Sequence, residues 1–310
     1  MYRPSLWLTL GQRAAHWSPT TRGLLWTGAA GLTFSALNAL MRALTLHIDP
    51  FQAQFLRYFF GLLVLLPVMW HQGLARYWPQ QVGPQFTRGA VHALGLWLWF
   101  NALPRIPLAD MTAIGFTGPI FIMIGARLFF HEPMRWARWL ACGLGFAGVL
   151  IVVGPRLSGS GGSYHLVMLA SAPVFAASFL LTKALTRHES PGVIVVWQSI
   201  SVSIFSLPLA LLHWQWLGPW QWAAFALCGV LGSTGHYCLT RSFAVADISA
   251  TQSAKFLDLV WSAGMGWLLF ADVPSQTTLI GGTVICAATI GVAHWEGRGA
   301  RRAAAEQLRA

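Results

Sequence analysis

Ten separate stretches of this chain are apolar over at least 17 residues. Each is long enough to cross a hydrocarbon layer as a helix, which needs about 20 apolar residues. They run 23–44, 51–70, 85–103, 111–130, 136–153, 166–185, 192–213, 221–242, 250–270 and 278–294. Charged residues make up only 9% of the 310 positions, against about 25% in a soluble domain. So few charges cannot cover a water-facing surface, which excludes an ordinary cytosolic enzyme. The solvent this chain is built for is a bilayer.

Lys and Arg outnumber Asp and Glu by 20 to 9, a net +11. In a membrane protein such an excess sets orientation and meets anionic lipid, so nucleic acid is not an expected partner. With the N-terminus inside, fifteen of the basic residues fall on the cytoplasmic side, among them Arg76, Arg88, Arg127, Arg138, Lys183 and Arg241. Arg42, Arg105 and Arg156 fall on the other side, and Arg57 and Lys255 lie inside their runs. This bias predicts a multi-pass protein of the cell inner (plasma) membrane with both termini cytoplasmic. No cleaved targeting segment is evident, because Ser5 to Leu10 is too short for a signal-peptide core. Cys142, Cys228, Cys238 and Cys286 lie within apolar runs without C-x-x-C spacing and read as small buried hydrophobes.

The chain also repeats itself. A shift of 141 places Arg42-Ala43-Leu44-Thr45 on Lys183-Ala184-Leu185-Thr186, His47 on His188 and Pro50 on Pro191. The same shift places Phe34 on Phe175 and Leu66-Pro67 on Leu207-Pro208. A shift of 140 places Phe116 on Phe256, Leu128 on Leu268 and Glu132 on Asp272. Each half then holds five runs, and an odd number obliges the second half to enter the membrane from the opposite side. The expected fold is an all-α integral membrane protein with ten transmembrane helices as two inverted five-helix repeats. Such repeats suit secondary transporters, whose substrate site lies near the midplane between the halves. The expected organisation is a basic cytoplasmic tail over 1–22, repeats over 23–153 and 166–294, a linker over 154–165 and a basic cytoplasmic tail over 295–310.

Family-like segments occur in both halves. The first reads Asn101-Ala102-Leu103, Pro107-Leu108-Ala109-Asp110, Pro119 and Leu128-Phe129-Phe130-His131-Glu132-Pro133. The second reads Arg241-Ser242-Phe243, Ala250, Leu268-Leu269-Phe270-Ala271-Asp272-Val273-Pro274 and Gly281-Gly282. These halves resemble the EamA-type repeats of the drug/metabolite transporter superfamily. The resemblance covers about residues 23–294. It implies ten helices and movement of small metabolites by alternating access, without naming the solute. Asp272 stands where Glu is usual, and Lys255 and Asp258 fall where many relatives are uncharged.

Asp258 is the acidic residue deepest in a run, three residues after Lys255 on the same helical face. A midplane Asp needs a partner, so this pair reads either as a substrate-binding and proton-coupling device or as a permanent ion pair. Arg57, two turns into its run, has Gln198 as its repeat counterpart and offers planar recognition of a carboxylate or phosphate. Gln52 and Gln54 read equally as site flanks or helix-end groups. Asn38, His92, Asn101, Gln198, His236, Tyr237 and Gln252 are the other large polar groups within runs. Trp97, Trp99, Trp197 and Trp261 lie deep, whereas Trp70, Trp78, Trp214, Trp216, Trp220 and Trp222 suit an interfacial belt. The expected substrate site combines Arg57, Lys255, Asp258, Gln198, Asn38, His236, Tyr237, Trp197 and Trp261, with Asp258 as the proton-coupling group.

Gly118-Pro119, Pro67, Pro173 and Pro208 should bend or break helices. Nucleotide-binding, metalloprotease, serine-hydrolase and zinc motifs are absent, so no cofactor, metal or catalytic residue is expected. The reading is a secondary transporter of a small organic metabolite, such as an amino acid, a nucleoside-like compound, a vitamin or a cofactor-like solute. An intramembrane enzyme using Asp258 and His236 and a passive pore are the alternatives. The expected partners are a small-molecule substrate and membrane lipid, with a homodimer left open.

Overall fold

The computed structural model describes residues 17–45, 47–102, 114–132, 136–153, 163–270, 276, 279–284, 286–288, 290–291 and 295. Among these the chain is helical and contains no strand. The helices are α1 (Pro19–Thr45), α2 (Pro50–Gln72), α3 (Val82–Ala102), α4 (Gly118–Phe130) and α5 (Trp136–Val153). They continue as α6 (Ser163–Leu185), α7 (Pro191–Leu212), α8 (Pro219–Val245), α9 (Ile248–Lys255) and α10 (Leu257–Phe270). Helical residues recur at 279–284 and 286–288, within the tenth apolar run. The expected tails and linker lie mostly outside the described residues, although α1 already begins at Pro19.

Proline opens α1, α2, α7 and α8, where its fixed φ suits a first turn and its missing N–H costs nothing. The Asp49 side chain accepts the N–H groups of Phe51 and Gln52, and the Ser190 hydroxyl accepts that of Val193. Helices α1, α2, α6 and α7 are each long and apolar enough to cross a membrane.

The ninth apolar run, expected as one helix, is two. Helix α9 stops at Lys255 and α10 starts at Leu257. In α9 the Thr251 hydroxyl and the Gln252 amide both donate to the Ile248 carbonyl, competing with the backbone for it. A comparable break precedes α4, where the Thr117 hydroxyl donates to Ile114 O at 2.6 Å and Pro119 has no N–H to continue the ladder. The rings at the two breaks, Phe116 and Phe256, stack with centroids 5.5 Å apart.

Helix α1 packs on α8 and α10, α3 on α6 and α7, α2 on α7 and α8, and α4 on α6. Close approach depends on glycine where backbones meet. A Cβ on Gly229 would stand 2.6 Å from the carbonyl carbon of Phe60, and one on Gly89 would collide with the Ser201 side chain. Two of the apolar clusters in the interior flank the site. Leu37, Met41, Leu56, Phe100, Val202 and Phe225 belong to one, and Ala30, Ile122, Leu180, Leu239, Phe243 and Ile248 to the other. Phe34 packs against both, and at its level lies a layer of polar side chains.

Gly23, at the start of α1, accepts from the Ser242 hydroxyl of α8 at 2.7 Å. Lys183, near the end of α6, donates to Phe243 O and Ala246 O at 2.6 Å. The start of α1 and the end of α6 therefore share one end of the bundle, and these two helices run in opposite directions. At the other end Gln52 joins Gln215, donating to its carbonyl at 2.7 Å and accepting its N–H at 2.9 Å. Gln54 donates to the Ser206 hydroxyl at 2.6 Å. Both glutamines tie helices together.

Candidate polar site between the helices

Helix α2 brings Arg57 and Tyr58 inward, α3 brings Arg88 and His92, α6 brings Ser178 and Thr182, α7 brings Gln198 and α8 brings His236. All but Arg57 are buried. The Tyr58 hydroxyl bridges two imidazoles, 2.9 Å from His92 Nε2 and 3.2 Å from His236 Nε2. Arg57 Nη2 reaches His236 Nε2 at 3.5 Å and the Gln198 amide nitrogen reaches it at 3.4 Å. Both of those groups can only donate, so His236 Nε2 is the bare, accepting nitrogen. Tyr58 then gives its single proton to His236 and accepts from His92 Nε2–H. Ser178 completes the chain by donating to His92 Nδ1 at 3.0 Å. Every proton in the chain points toward His236.

Arg88 anchors the other side of the layer, donating through Nε to Thr182 Oγ1 at 2.5 Å and through Nη2 to Gln198 Oε1 at 2.7 Å. It is 1% exposed. Orientation counting assigned it to the cytoplasmic rim, and the structure corrects that: Arg88 stands inside the helix core. Arg138, also counted there, is buried at 4% exposure and binds Asp247 at 3.1 Å and Ser249 at 2.7 Å.

A small cavity with room for about one water molecule is lined by Arg57, Tyr58, Gly61, Ser199, Gly232, Ser233 and His236. Next to the layer, Lys255 Nζ donates to Asp258 Oδ2 at 2.6 Å. The second carboxylate oxygen lies against Gly31, where an added Cβ would collide with it and approach Trp261. Among the described residues neither Asp258 Oδ1 nor Trp261 Nε1 has a hydrogen-bond partner. Phe34 separates the ion pair from the histidines, its ring edge-on to His236 at 4.9 Å and 5.9 Å from Lys255 Nζ.

Of the residues expected at the site, Arg57, Gln198 and His236 meet directly, and Lys255, Asp258 and Trp261 form a group across Phe34. Three others are elsewhere. Asn38 is exposed on α1. Tyr237, turned about 100° from His236 on the same helix, is 41% exposed. Trp197 donates to Tyr77 O at 2.8 Å and packs against Trp78 and Phe86, which makes it part of the α7 end. Among the described residues His236 and Asp258 share no hydrogen bond, and Phe34 lies between them. Sequence reasoning missed Tyr58, Arg88, Ser178 and Thr182. For Arg88 a signal existed, since the 140-residue shift places it on Cys228, well inside an apolar run.

The family model of EamA-like transporters matches residues 21–154 and 162–293. A riboflavin transporter of Rhizobium johnstonii is 34% identical over 285 residues, 91% of this chain and 94% of its own. An S-adenosylmethionine uptake transporter of Rickettsia felis is 26% identical over 274 residues, 88% of this chain and 93% of its own. One solved crystal structure aligns with a TM-score of 0.77 at 19% identity, covering 89% of this chain and 97% of that one. At that identity the alignment speaks for a shared fold.

Proposed function

The chain belongs to the EamA-like transporter family, and from that premise we propose that it is a secondary carrier moving a small organic metabolite across the inner membrane by alternating access. The observation that carries the reading is the polar layer, which both halves of the chain build together. Arg57, Tyr58, Arg88 and His92 come from the first half, and Ser178, Thr182, Gln198 and His236 from the second.

Two inverted halves account for how the helices pair. Under the repeat offset the α1–α8 contact becomes the α6–α3 contact, and both are extensive. Phe34 faces Gly235 as Phe175 faces Gly95, and Phe60 meets Gly229 as Ser201 meets Gly89. Opposed directions of α1 and α6 support the same reading. A cavity that holds only about one water favours a carrier over an open pore, because a solute enters only when helices separate. In this reading Arg57, Gln198 and His236 bind the solute, and the Lys255–Asp258 pair with Trp261 couples its movement to protons.

Relatives carrying riboflavin and S-adenosylmethionine make vitamin- and cofactor-sized solutes the first to test. Purified protein in liposomes loaded with unlabelled riboflavin, S-adenosylmethionine, nucleosides or amino acids should show saturable counterflow of one labelled compound. A folded protein that gives none across that panel, or flux that neither saturates nor exchanges, would overturn the carrier reading.

A further inference from the structure

We propose that the solute bound at this site presents an anionic group, a carboxylate or a phosphate, to Arg57. This rests on the carrier reading above and adds the solute's charge to it. Two guanidiniums stand in the helix core. Arg88 spends Nε and Nη2 on the neutral acceptors Thr182 and Gln198, and its buried Nη1 has no partner among the described residues. Arg57 has one long contact to His236 and a place over the Tyr58 ring at 5.0 Å, while its buried Nε has no partner among the described residues. Among the described residues neither arginine meets a carboxylate. Across Phe34, the Asp258 carboxylate is bound to Lys255, and that pair is neutral by itself. His236 Nε2 accepts from Arg57 and so adds no negative charge. The layer therefore holds two positive charges that no residue described balances, surrounded by apolar helix and lipid, where an unpaired ion is strongly disfavoured.

Arg57 is the one placed to take an anion. It lines the cavity, and Gly232 leaves room beside it, since a Cβ there would stand 3.5 Å from Arg57 Nε. The Ser199 and Ser233 hydroxyls donate to Val195 O and Gly61 O, so the guanidinium is the uncommitted donor facing this space. Its planar fork matches the two oxygens of a carboxylate or phosphate. Arg88 lies two residues behind, through Gln198 and His236, and acts on the ligand by its field rather than by contact. A cationic solute would enter against both charges.

Matched ligands that differ in charge test this directly. Binding to the purified full chain in detergent is measured for riboflavin against riboflavin 5′-phosphate, and for S-adenosylmethionine against S-adenosylhomocysteine, which lacks the sulfonium charge. The more negative member of the pair that binds is expected to bind at least about tenfold more tightly, as one charge-assisted contact allows. Arg57→Gln should erase that preference, and Arg57→Lys, which keeps the charge, should retain it in part. Equal affinities, preference for the less negative member, or no binding by any of the four overturns the proposal. The comparison within wild type decides even if a variant fails to fold. Riboflavin counterflow without preference for the phosphate would sink the anion site and leave the carrier standing, whereas absence of counterflow for every solute would sink the carrier reading itself.

Discussion

The Tyr58 hydroxyl serves two imidazoles, giving its proton to His236 and accepting one from His92. Replacing Tyr58 by Phe keeps the ring and removes the bridge, leaving the His92 Nε2–H facing an apolar edge. A buried donor stripped of its partner costs about 1–3 kcal/mol, so Tyr58→Phe should melt earlier in detergent and slow counterflow by about tenfold. An unchanged melt and rate would show that the bridge is dispensable. Asp258 belongs to a different kind of pair. Lys255 Nζ meets its carboxylate at 2.6 Å, so Asp258→Asn leaves that ammonium without its counter-charge and should cost about 2.5–3.5 kcal/mol of stability. Uphill accumulation driven by a proton gradient should disappear while counterflow persists, and accumulation that survives unchanged would remove Asp258 from coupling. The sequence made both charged residues legible, because an ionisable group inside an apolar run stands out by itself. It did not make Tyr58 legible, since a tyrosine among Phe residues looks like packing until its neighbours in space are known. Arg88 was hidden for the opposite reason: lying near the start of its run, it looked like a rim charge. Its depth depends on where α3 begins, and α3 begins at Val82, three residues before the apolar run does.

Between elements the decisive contacts are those where helix backbones touch. Gly229 stands so close to α2 that a Cβ would meet the carbonyl carbon of Phe60 at 2.6 Å and the nitrogen of Gly61 at 2.8 Å. Backbone cannot swing aside as a side-chain tip can, so Gly229→Ala should destabilise the protein by about 1–3 kcal/mol through overpacking. Gly28 offers the control, with nothing within 4 Å of its missing Cβ. There Gly→Ala should be neutral or stabilise by up to about 1 kcal/mol through helix propensity. Melting curves of the two variants side by side check both, and equal losses would mean that α2 and α8 are not closely seated. Gly229, Gly232 and Gly235 recur every three residues, a spacing that suits close helix packing, yet spacing alone does not say which of them faces backbone. Run lengths gave the positions of the long helices, while the break at Phe256 escaped them. Apolarity continues through that residue, and at the break the Phe256 N–H reaches back only three residues to Ser253 O, a local hydrogen-bonding change that a hydropathy window averages away.

Over the whole molecule, the two halves are clasped most heavily at the end where α1 starts. Glu132, in the α4–α5 connection, accepts the N–H groups of Ile248 and Ser249 at 3.0 Å each, and the Ser249 hydroxyl as well. Its carboxylate thereby caps α9 from the other half of the chain, where the helix dipole favours negative charge. Arg138 adds the contact to Asp247. A carrier that alternates must open this end, and hydrogen bonds to a charged group contribute about 1.5–3 kcal/mol each. The clasp therefore weights the equilibrium toward closure here, and Glu132→Gln, which keeps the shape and removes the charge, should shift the population toward the open form by about 1.4 kcal/mol, or tenfold. Ala250 is 1% exposed beneath the clasp, so a cysteine at that position, in a chain whose own four cysteines are replaced, reports the opening. Its reaction with a maleimide should run about tenfold faster in Glu132→Gln than in the parent. Counterflow of the transported solute need not fall, since exchange requires both forms and the parent is weighted to one. If labelling is equally slow in both, Glu132 holds α9 in place without gating, and opening at this end must be governed by contacts other than the clasp.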